Sequence, residues 1–390
     1  MTEHMYNPDI NQLRKLHIEL SSRCNASCGA CNRNINGGPV VPGLPLEDLS
    51  INDIENMVPE HIAKNIEFIN YCGNLGDPGM APDLLKILKY FRNHSPDIIQ
   101  QVRTNGGMRG SNFWREVGEF YSEIPPTNND YLFSQAGVVW SVDGLENTNH
   151  IYRRGVKWEK VWANMKAYSQ SGAKAVWEFL VFDHNEHQVE EARSRCEDLG
   201  FAFSLKNPLG FGENRGEYVP FHLLTKEGTY DYSIFPAGYN QSREVSEKIK
   251  HQVLKPDLIA STKKIPLLSE FSSDLAKTST IKCRSAEDSE IYISSTGHLL
   301  PCCYLGGTLS GNTGLSYSRY QFNEQFENLG SDMFNLRKNS IEEIIFNEKF
   351  IGLFLNGWKA KTVEEGKLLF CAEMCGECSP LEKLYQNKKF

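Results

Sequence analysis

The sequence predicts an α/β protein: an incomplete (β/α)6 barrel followed by a smaller α+β unit rich in cysteine. Three observations carry this. Short β-branched runs alternate with helical patterns from Leu16 to about Lys206, the pattern then dissolves, and a hairpin-like stretch flanked by cysteines follows. Leu16–Leu20 reads as the first strand and Ile66–Tyr71 as the second. Ile98–Val102, Val138–Val142, Ala175–Phe182 and a weaker Phe201–Leu205 complete the set. Each is near-continuously apolar or β-branched and stops at turn residues, the mark of strands buried on both faces. Between them, Asp83–Phe91 repeats apolar residues at helical spacing behind Pro82, and Trp158–Ser171 repeats Val161, Met165 and Tyr168 before Gly172. Repeated strand–helix units imply a parallel sheet with right-handed crossovers. A doubly wound open sheet is the alternative, since strand order is not written in the chain. In both folds the site lies at the C-terminal ends of the strands. Four segments meet that edge: Cys24–Cys31, Gly73–Pro78, Thr104–Gly107 and Ser141–Gly144.

The division expected is 1–206 for the barrel, 207–280 for an irregular connector or lid, and 281–390 for the cysteine-bearing unit. Within the connector only Arg243–Val253 holds a helical period. In the last unit, Ile291–Leu300 reads as two short strands around Gly297, and Ser340 with Glu343 reads as a capping box.

The chain has 390 residues, 40% hydrophobic and 23% charged, which excludes wholesale disorder. No apolar run reaches the ~20 residues of a membrane span, and the first residues do not read as a secretory signal. A net charge of −8 argues against a broad nucleic-acid footprint. A cytoplasmic protein is therefore expected, and its eleven cysteines are hard to read as disulfides. They fall in groups. Cys24, Cys28 and Cys31 are spaced C-x3-C-x2-C; Cys283, Cys302 and Cys303 surround the hairpin; Cys371, Cys375 and Cys378 repeat C-x3-C-x2-C. Cys72 and Cys196 stand alone, the latter on an apolar helical stripe and so read as a packed core thiol. Clustered thiolates serve zinc or iron–sulfur centres, which spacing alone does not separate. A closed zinc site uses four ligands; the front group offers three.

The front motif after a first strand, with the loop Gly76-Asp77-Pro78 after the second and Ser141-Val142-Asp143-Gly144 after the fourth, resembles the radical S-adenosylmethionine (SAM) enzymes. The resemblance spans about residues 15–206 and 281–380. It implies that Cys24, Cys28 and Cys31 hold a [4Fe–4S] cluster whose open iron binds SAM. Reductive cleavage of SAM then gives a 5′-deoxyadenosyl radical that abstracts hydrogen from substrate. It further implies that Gly76, Asp77, Ser141 and Arg153 contact SAM, with Arg154 as the neighbouring alternative to Arg153. Three positions depart from the family pattern: Leu75 and Asp77 stand in a loop that is usually Gly-Gly-Glu-Pro, and Ala30 stands where an aromatic residue is common. The rear of the chain resembles the twitch form of the SPASM extension, Cys283, Gly297 and Cys302 matching its first half and Cys375 with Cys378 its second. These four cysteines are implied to hold one auxiliary [4Fe–4S] cluster, with Cys303 and Cys371 as candidate replacements.

The resemblance implies an oxidoreductase that modifies a peptide or a small sugar-like molecule, served by an electron donor such as flavodoxin or ferredoxin. Only 23 residues precede Cys24, which leaves no room there for a fused peptide-recognition domain. RNA modification and a non-catalytic redox protein are the other classes. No residue is assigned as catalytic. Glu178 and Asn185 are expected to line the substrate cavity, and His17 and Glu19 to sit on the first strand without an assigned role.

Overall fold

The computed structural model describes residues 10–123, 137–208, 212–214, 217–238, 279–309 and 317–376. Six parallel strands follow the chain in order: β1 (Lys15–Ile18), β2 (Phe68–Tyr71), β3 (Ile99–Thr104), β4 (Gly137–Ser141), β5 (Ala175–Leu180) and β6 (Ala202–Lys206). Sequential neighbours throughout are the arrangement of a barrel wall; a doubly wound sheet reverses its order at the centre. The strand starts and stops fall within two residues of most sequence expectations.

Two further strands correct the expected separation of the rear unit. The hairpin β11 (Glu290–Ile293) and β12 (Leu299–Leu300) extends the same sheet, β11 pairing parallel to β1 with His17 beside Tyr292. The sheet therefore runs β12-β11-β1-β2-β3-β4-β5-β6. The connector is corrected as well. Its described part holds the short pairs β7 (Gly212–Asn214) with β8 (Glu217–Val219) and β9 (Phe221–Leu224) with β10 (Tyr230–Ile234). The β9–β10 hairpin packs on the front cysteine loop, where Leu223 lies so close to Gly29 that an added Cβ would meet its side chain at 2.4 Å. Strands of three to five residues carry too little alternation to be read from sequence. The helical period at 243–253 lies outside the described residues.

Helices cover the outer face of the sheet. α1 (Ile51–Met57) begins with a reciprocal Ser50–Asp53 capping box, and α2 (Glu60–Ala63) follows it. α3 (Leu84–His94) buries Leu84, Ile87, Leu88 and Phe91, the stripe its spacing predicts. α4 (Ser111–Ser122), α5 (Asn149–Tyr152), α6 (Trp158–Ser169) and α7 (Val189–Asp198) continue the series. Trp114, Trp140 and Tyr168 are fully buried between α4, β4 and α6, each contributing on the order of 2–3 kcal/mol through burial. Cys196 is fully buried on α7, as its stripe predicts. In the rear unit Phe322, Phe326, Phe334, Phe350 and Phe354 form a second aromatic centre. Helix Ile341–Ile345 carries the expected Ser340–Glu343 capping box.

Candidate active site

The loops after β1, β2, β3 and β4 meet at one edge of the sheet and border a cavity of about 580 Å³. Cys24, Cys28 and Cys31 all line it. Their loop turns tightly: the Cys31 amide donates to the Cys28 carbonyl at 3.2 Å, and the Ser27 amide to the Arg154 carbonyl at 2.9 Å. Several donors face the sulfurs. The Ala26 amide lies 3.3 Å and the Asn105 side-chain amide 3.5 Å from Cys24 Sγ, and Arg153 Nη1 lies 3.7 Å from Cys28 Sγ.

Burial pushes all three thiols above the ordinary cysteine range, Cys31 to about 12, and repulsion from neighbouring thiols adds to the effect at Cys24 and Cys31. Asp77 raises Cys24 and Cys28 further, whereas Arg153 pulls Cys28 and Cys31 down. Left alone these are neutral thiols; a bound cation inverts that preference and holds thiolates. Donors already aimed at sulfur suit a thiolate cluster ligand. Among the described residues no three His, Cys, Asp or Glu side chains close on a single metal ion. The front thiols border a cavity instead, which suits a polynuclear cluster with an organic ligand beside it.

The loop after β2 is fixed by close backbone approach. A Cβ on Gly76 would lie 1.8 Å from the Ser21 carbonyl oxygen, and one on Gly73 would lie 2.2 Å from that of Gly76. Asp77, 4% exposed, has its carboxylate fully engaged. Oδ1 accepts from the Gly79 amide and the Thr104 hydroxyl, Oδ2 from the Asn105 amide, each at 2.8 Å. Asp77 thus braces the loops after β2 and β3 from behind, and Gly76 contributes backbone to the wall.

Ser141 ends β4 and lines the cavity. Two residues on, Asp143 is wholly buried; its Oδ1 accepts from the Leu180 amide at 2.7 Å and its Oδ2 from Arg153 Nε at 2.5 Å. Burial raises the Asp143 carboxyl while the Arg153 charge opposes the rise. Arg153 is thereby presented to the cavity beside Cys28. Arg154 turns away, donating to the Gly37 carbonyl at 3.1 Å and to Asp231 at 2.6 Å. Of the two arginines, Arg153 borders the cavity and Arg154 is bonded away from it.

The sheet-side wall holds polar and charged groups of which the sequence pointed only to Glu178. Asn70, Arg103, Glu178 and Lys206 line the cavity. Arg103 Nη1 donates to Glu178 Oε1 at 2.8 Å, and Lys206 donates to the same oxygen. Burial pushes the Glu178 carboxyl up, but Arg103 and Lys206 outweigh it and hold it below the ordinary range. Glu178 is where it was expected. Asn185 is not: it is buried behind the wall, donating to the carbonyls of Asp143 at 3.0 Å and Leu180 at 2.9 Å. Its role is a turn brace, and its short amide side chain beside a strand end is equally suited to either use. Asn105 lines the cavity within the expected segment Thr104–Gly107, whereas Tyr152 was missed. Alternation along β2, β3 and β5 marks Asn70, Arg103 and Glu178 as facing one way, a signal available in the sequence.

At the rear, a bridge between Ile281 and Gly376 brings two distant segments together. Cys283, Cys302, Cys371 and Cys375 surround a small apolar cavity with Trp358, Phe370 and Met374. Burial raises each of the four thiols. Cys371 thus stands with three of the expected ligands, while Cys378 lies outside the described residues. Cys303 points elsewhere, its thiol raised by burial and by repulsion from Cys302 and Cys72. Tyr304 lines both the front and the rear cavity.

Residues 283–379 match the family model of SPASM, an iron–sulfur cluster-binding domain. No curated protein matches the chain in sequence. Among solved structures, Streptococcus suis SuiB bound to S-adenosylmethionine is 16% identical with a TM-score of 0.46, over 87% of this chain and 66% of SuiB. The chain therefore spans just under two thirds of that protein. The anSMEcpe structure with bound AdoMet is 13% identical (TM-score 0.46; 86% of this chain and 78% of that one). BtrN in complex with AdoMet and 2-DOIA is 10% identical (TM-score 0.39; 92% of each chain).

Proposed function

We propose that this chain is a radical SAM enzyme, with a SAM-binding [4Fe–4S] cluster on Cys24, Cys28 and Cys31 and an auxiliary cluster in its SPASM segment. The observation that carries the reading is convergence. Three thiols, the loop Gly73–Asp77, Ser141 and the Arg153 guanidinium all border one cavity. Bound there, a reduced cluster supplies the electron that cleaves SAM and so provides the radical that removes a substrate hydrogen.

The chain's own groups do the rest. Arg153, held by Asp143, offers a guanidinium suited to the carboxylate of SAM. The backbone of the Gly73–Asp77 loop would serve the amino end, and Ser141 would offer a hydroxyl from the same cavity lining. The sheet and the loops would orient the reacting C–H bond beside the front thiols. The polar wall of Asn70, Arg103, Glu178 and Lys206 favours a substrate rich in hydrogen-bonding groups, a peptide or a sugar-like molecule, over a hydrocarbon. The rear cysteines would hold an auxiliary cluster suited to taking up an electron or anchoring the substrate, and a flavodoxin- or ferredoxin-type protein would supply the first electron.

Anaerobic reconstitution tests this. Two clusters require about eight irons per chain, and reduction with SAM should release 5′-deoxyadenosine even without substrate. Cys28→Ala should abolish that product, whereas Cys375→Ala should spare it. A fully loaded protein that releases none refutes the proposal, leaving an iron–sulfur redox protein as the better reading.

A further inference from the structure

Glu19 is a buried carboxylate that the proposed chemistry does not use. It lies just past β1, five residues before Cys24, and is 1% exposed. Its Oε1 accepts from the amides of Leu75 at 2.6 Å and Gly76 at 3.2 Å, so it holds the loop bordering the front cavity. Its Oε2 accepts from the hydroxyl of Tyr292 at 2.6 Å. Tyr292 is on β11, within the SPASM segment, and is wholly buried.

The contacts continue from there. The side-chain amide of Asn74, in the same loop, donates to the Tyr292 oxygen at 3.2 Å and to the Cys303 carbonyl at 2.7 Å. The carbonyl of Asn74 receives the thiol of Cys31 at 3.9 Å. The backbone after Cys302 lies against the Tyr292 ring: a Cβ on Gly306 would sit 2.2 Å from it. One connected set of bonds therefore joins a rear thiol segment, the β2 loop and, through Glu19, the end of β1 that leads into the front thiol loop. A carboxylate surrounded by neutral donors is an expensive way to fill space, because its desolvation is not offset by a cation. Its distinctive property is that two oxygens accept bonds from two parts of the chain at once.

We propose that Glu19 and Tyr292 are positioning residues through which the rear cluster unit sets the SAM-facing loop Gly73–Asp77, coupling rear-site occupancy to SAM affinity at the front. This rests on the functional reading above. By linkage the coupling is reciprocal: SAM at the front should make rear iron harder to remove by a chelator.

The test uses anaerobically reconstituted full chain. Tyr292→Phe keeps the ring against His17 and Gly306 and removes only the hydroxyl; Glu19→Gln is the second variant. Hydrogen exchange across residues 73–77 reads the loop, and equilibrium binding of radiolabelled SAM reads the site. Both variants should retain iron, exchange the loop at least about 5-fold faster, and bind SAM at least about 5-fold more weakly, the lower end for coupled sites. Cys302→Ala should weaken SAM binding in the wild-type background and add little in Tyr292→Phe, since residues in one network are not additive. Iron-loaded variants with exchange and SAM affinity within about 2-fold of wild type, or independent effects of Cys302→Ala and Tyr292→Phe, overturn the proposal. If wild type binds no SAM, the functional reading fails, and loop exchange alone decides the Glu19–Tyr292 link.

Discussion

Replacing Asp77 with Asn is the most informative single change at the front cavity, because it preserves shape and alters only charge and one acceptor. In the native loop the carboxylate accepts three bonds of 2.8 Å. An amide oriented with its oxygen at Oδ1 keeps the Gly79 and Thr104 bonds, now without charge assistance. Its NH2 then faces the Asn105 amide, donor against donor. A buried unsatisfied donor costs about 1–3 kcal/mol, and weakening two charge-assisted bonds adds about 1–2. Removing the desolvation penalty that burial places on the Asp77 carboxyl recovers part of this. The net expectation is a local destabilisation of about 2–4 kcal/mol, or roughly 30- to 800-fold in an opening equilibrium. Hydrogen exchange at the Asn105 amide measures it, with the amides of α3 as an unaffected reference. SAM-dependent 5′-deoxyadenosine release should fall in parallel. An Asn105 amide protected to within about 3-fold of wild type, in protein with its full iron, refutes the bracing role.

The two adjacent arginines make a sharper contrast. Arg153→Ala removes the partner of the buried Asp143 and should weaken SAM binding by about 10-fold or more, the usual cost of losing a bidentate carboxylate contact. Arg154→Ala, which loses Gly37, Leu224, Asp231 and the face of Tyr232, should leave SAM affinity within about 2-fold. Acid stability offers an independent check. Burial lowers His17 to about 4 from an ordinary 6.5, so the native state holds it neutral while the unfolded chain takes up a proton. Stability is therefore intact above about pH 6.5 and is lost as pH falls towards 4, by up to about 3 kcal/mol from this group. The slope of the urea midpoint against pH should flatten across that interval in His17→Gln; an unchanged slope refutes the assignment.

The barrel was legible because its signals are local. Fully buried parallel strands advertise themselves as apolar runs, and α3 and α6 carry their periods openly. The front thiol group was equally legible, since three cysteines within eight residues need no knowledge of the fold. What sequence withheld depends on long-range pairing. Nothing near Tyr292 says that β11 joins β1, because a parallel neighbour is chosen by packing across some 270 intervening residues. The rear thiols illustrate the same limit: Cys371 joins Cys283 and Cys302 only because Ile281 bridges Gly376. Asp77 was visible as an acidic residue in a glycine-bearing loop. Its direction was not, and direction separates a brace from a ligand. Arg153 and Arg154 differ by one position and face opposite ways for the same reason.

The charged wall bears on what the cavity is for. A complete barrel fills its interior with layers of branched apolar side chains and leaves no room inside. Here the inward positions of β2, β3, β5 and β6 carry Asn70, Arg103, Glu178 and Lys206, and the space before them is open. Keeping these charges half-buried costs desolvation that apolar residues would avoid, and exposed pairs recover little of it. Glu178 satisfies one oxygen with two cations, so the wall carries one positive charge in excess of its carboxylate. Such a wall holds water or a polar ligand and repels an alkyl chain. A redox relay needs neither this volume nor this wall, because electron transfer between centres is served by closely packed protein. The combination of a thiol triplet, an arginine presented by a buried aspartate and an open polar floor therefore supports the proposed substrate cavity over the redox-relay reading.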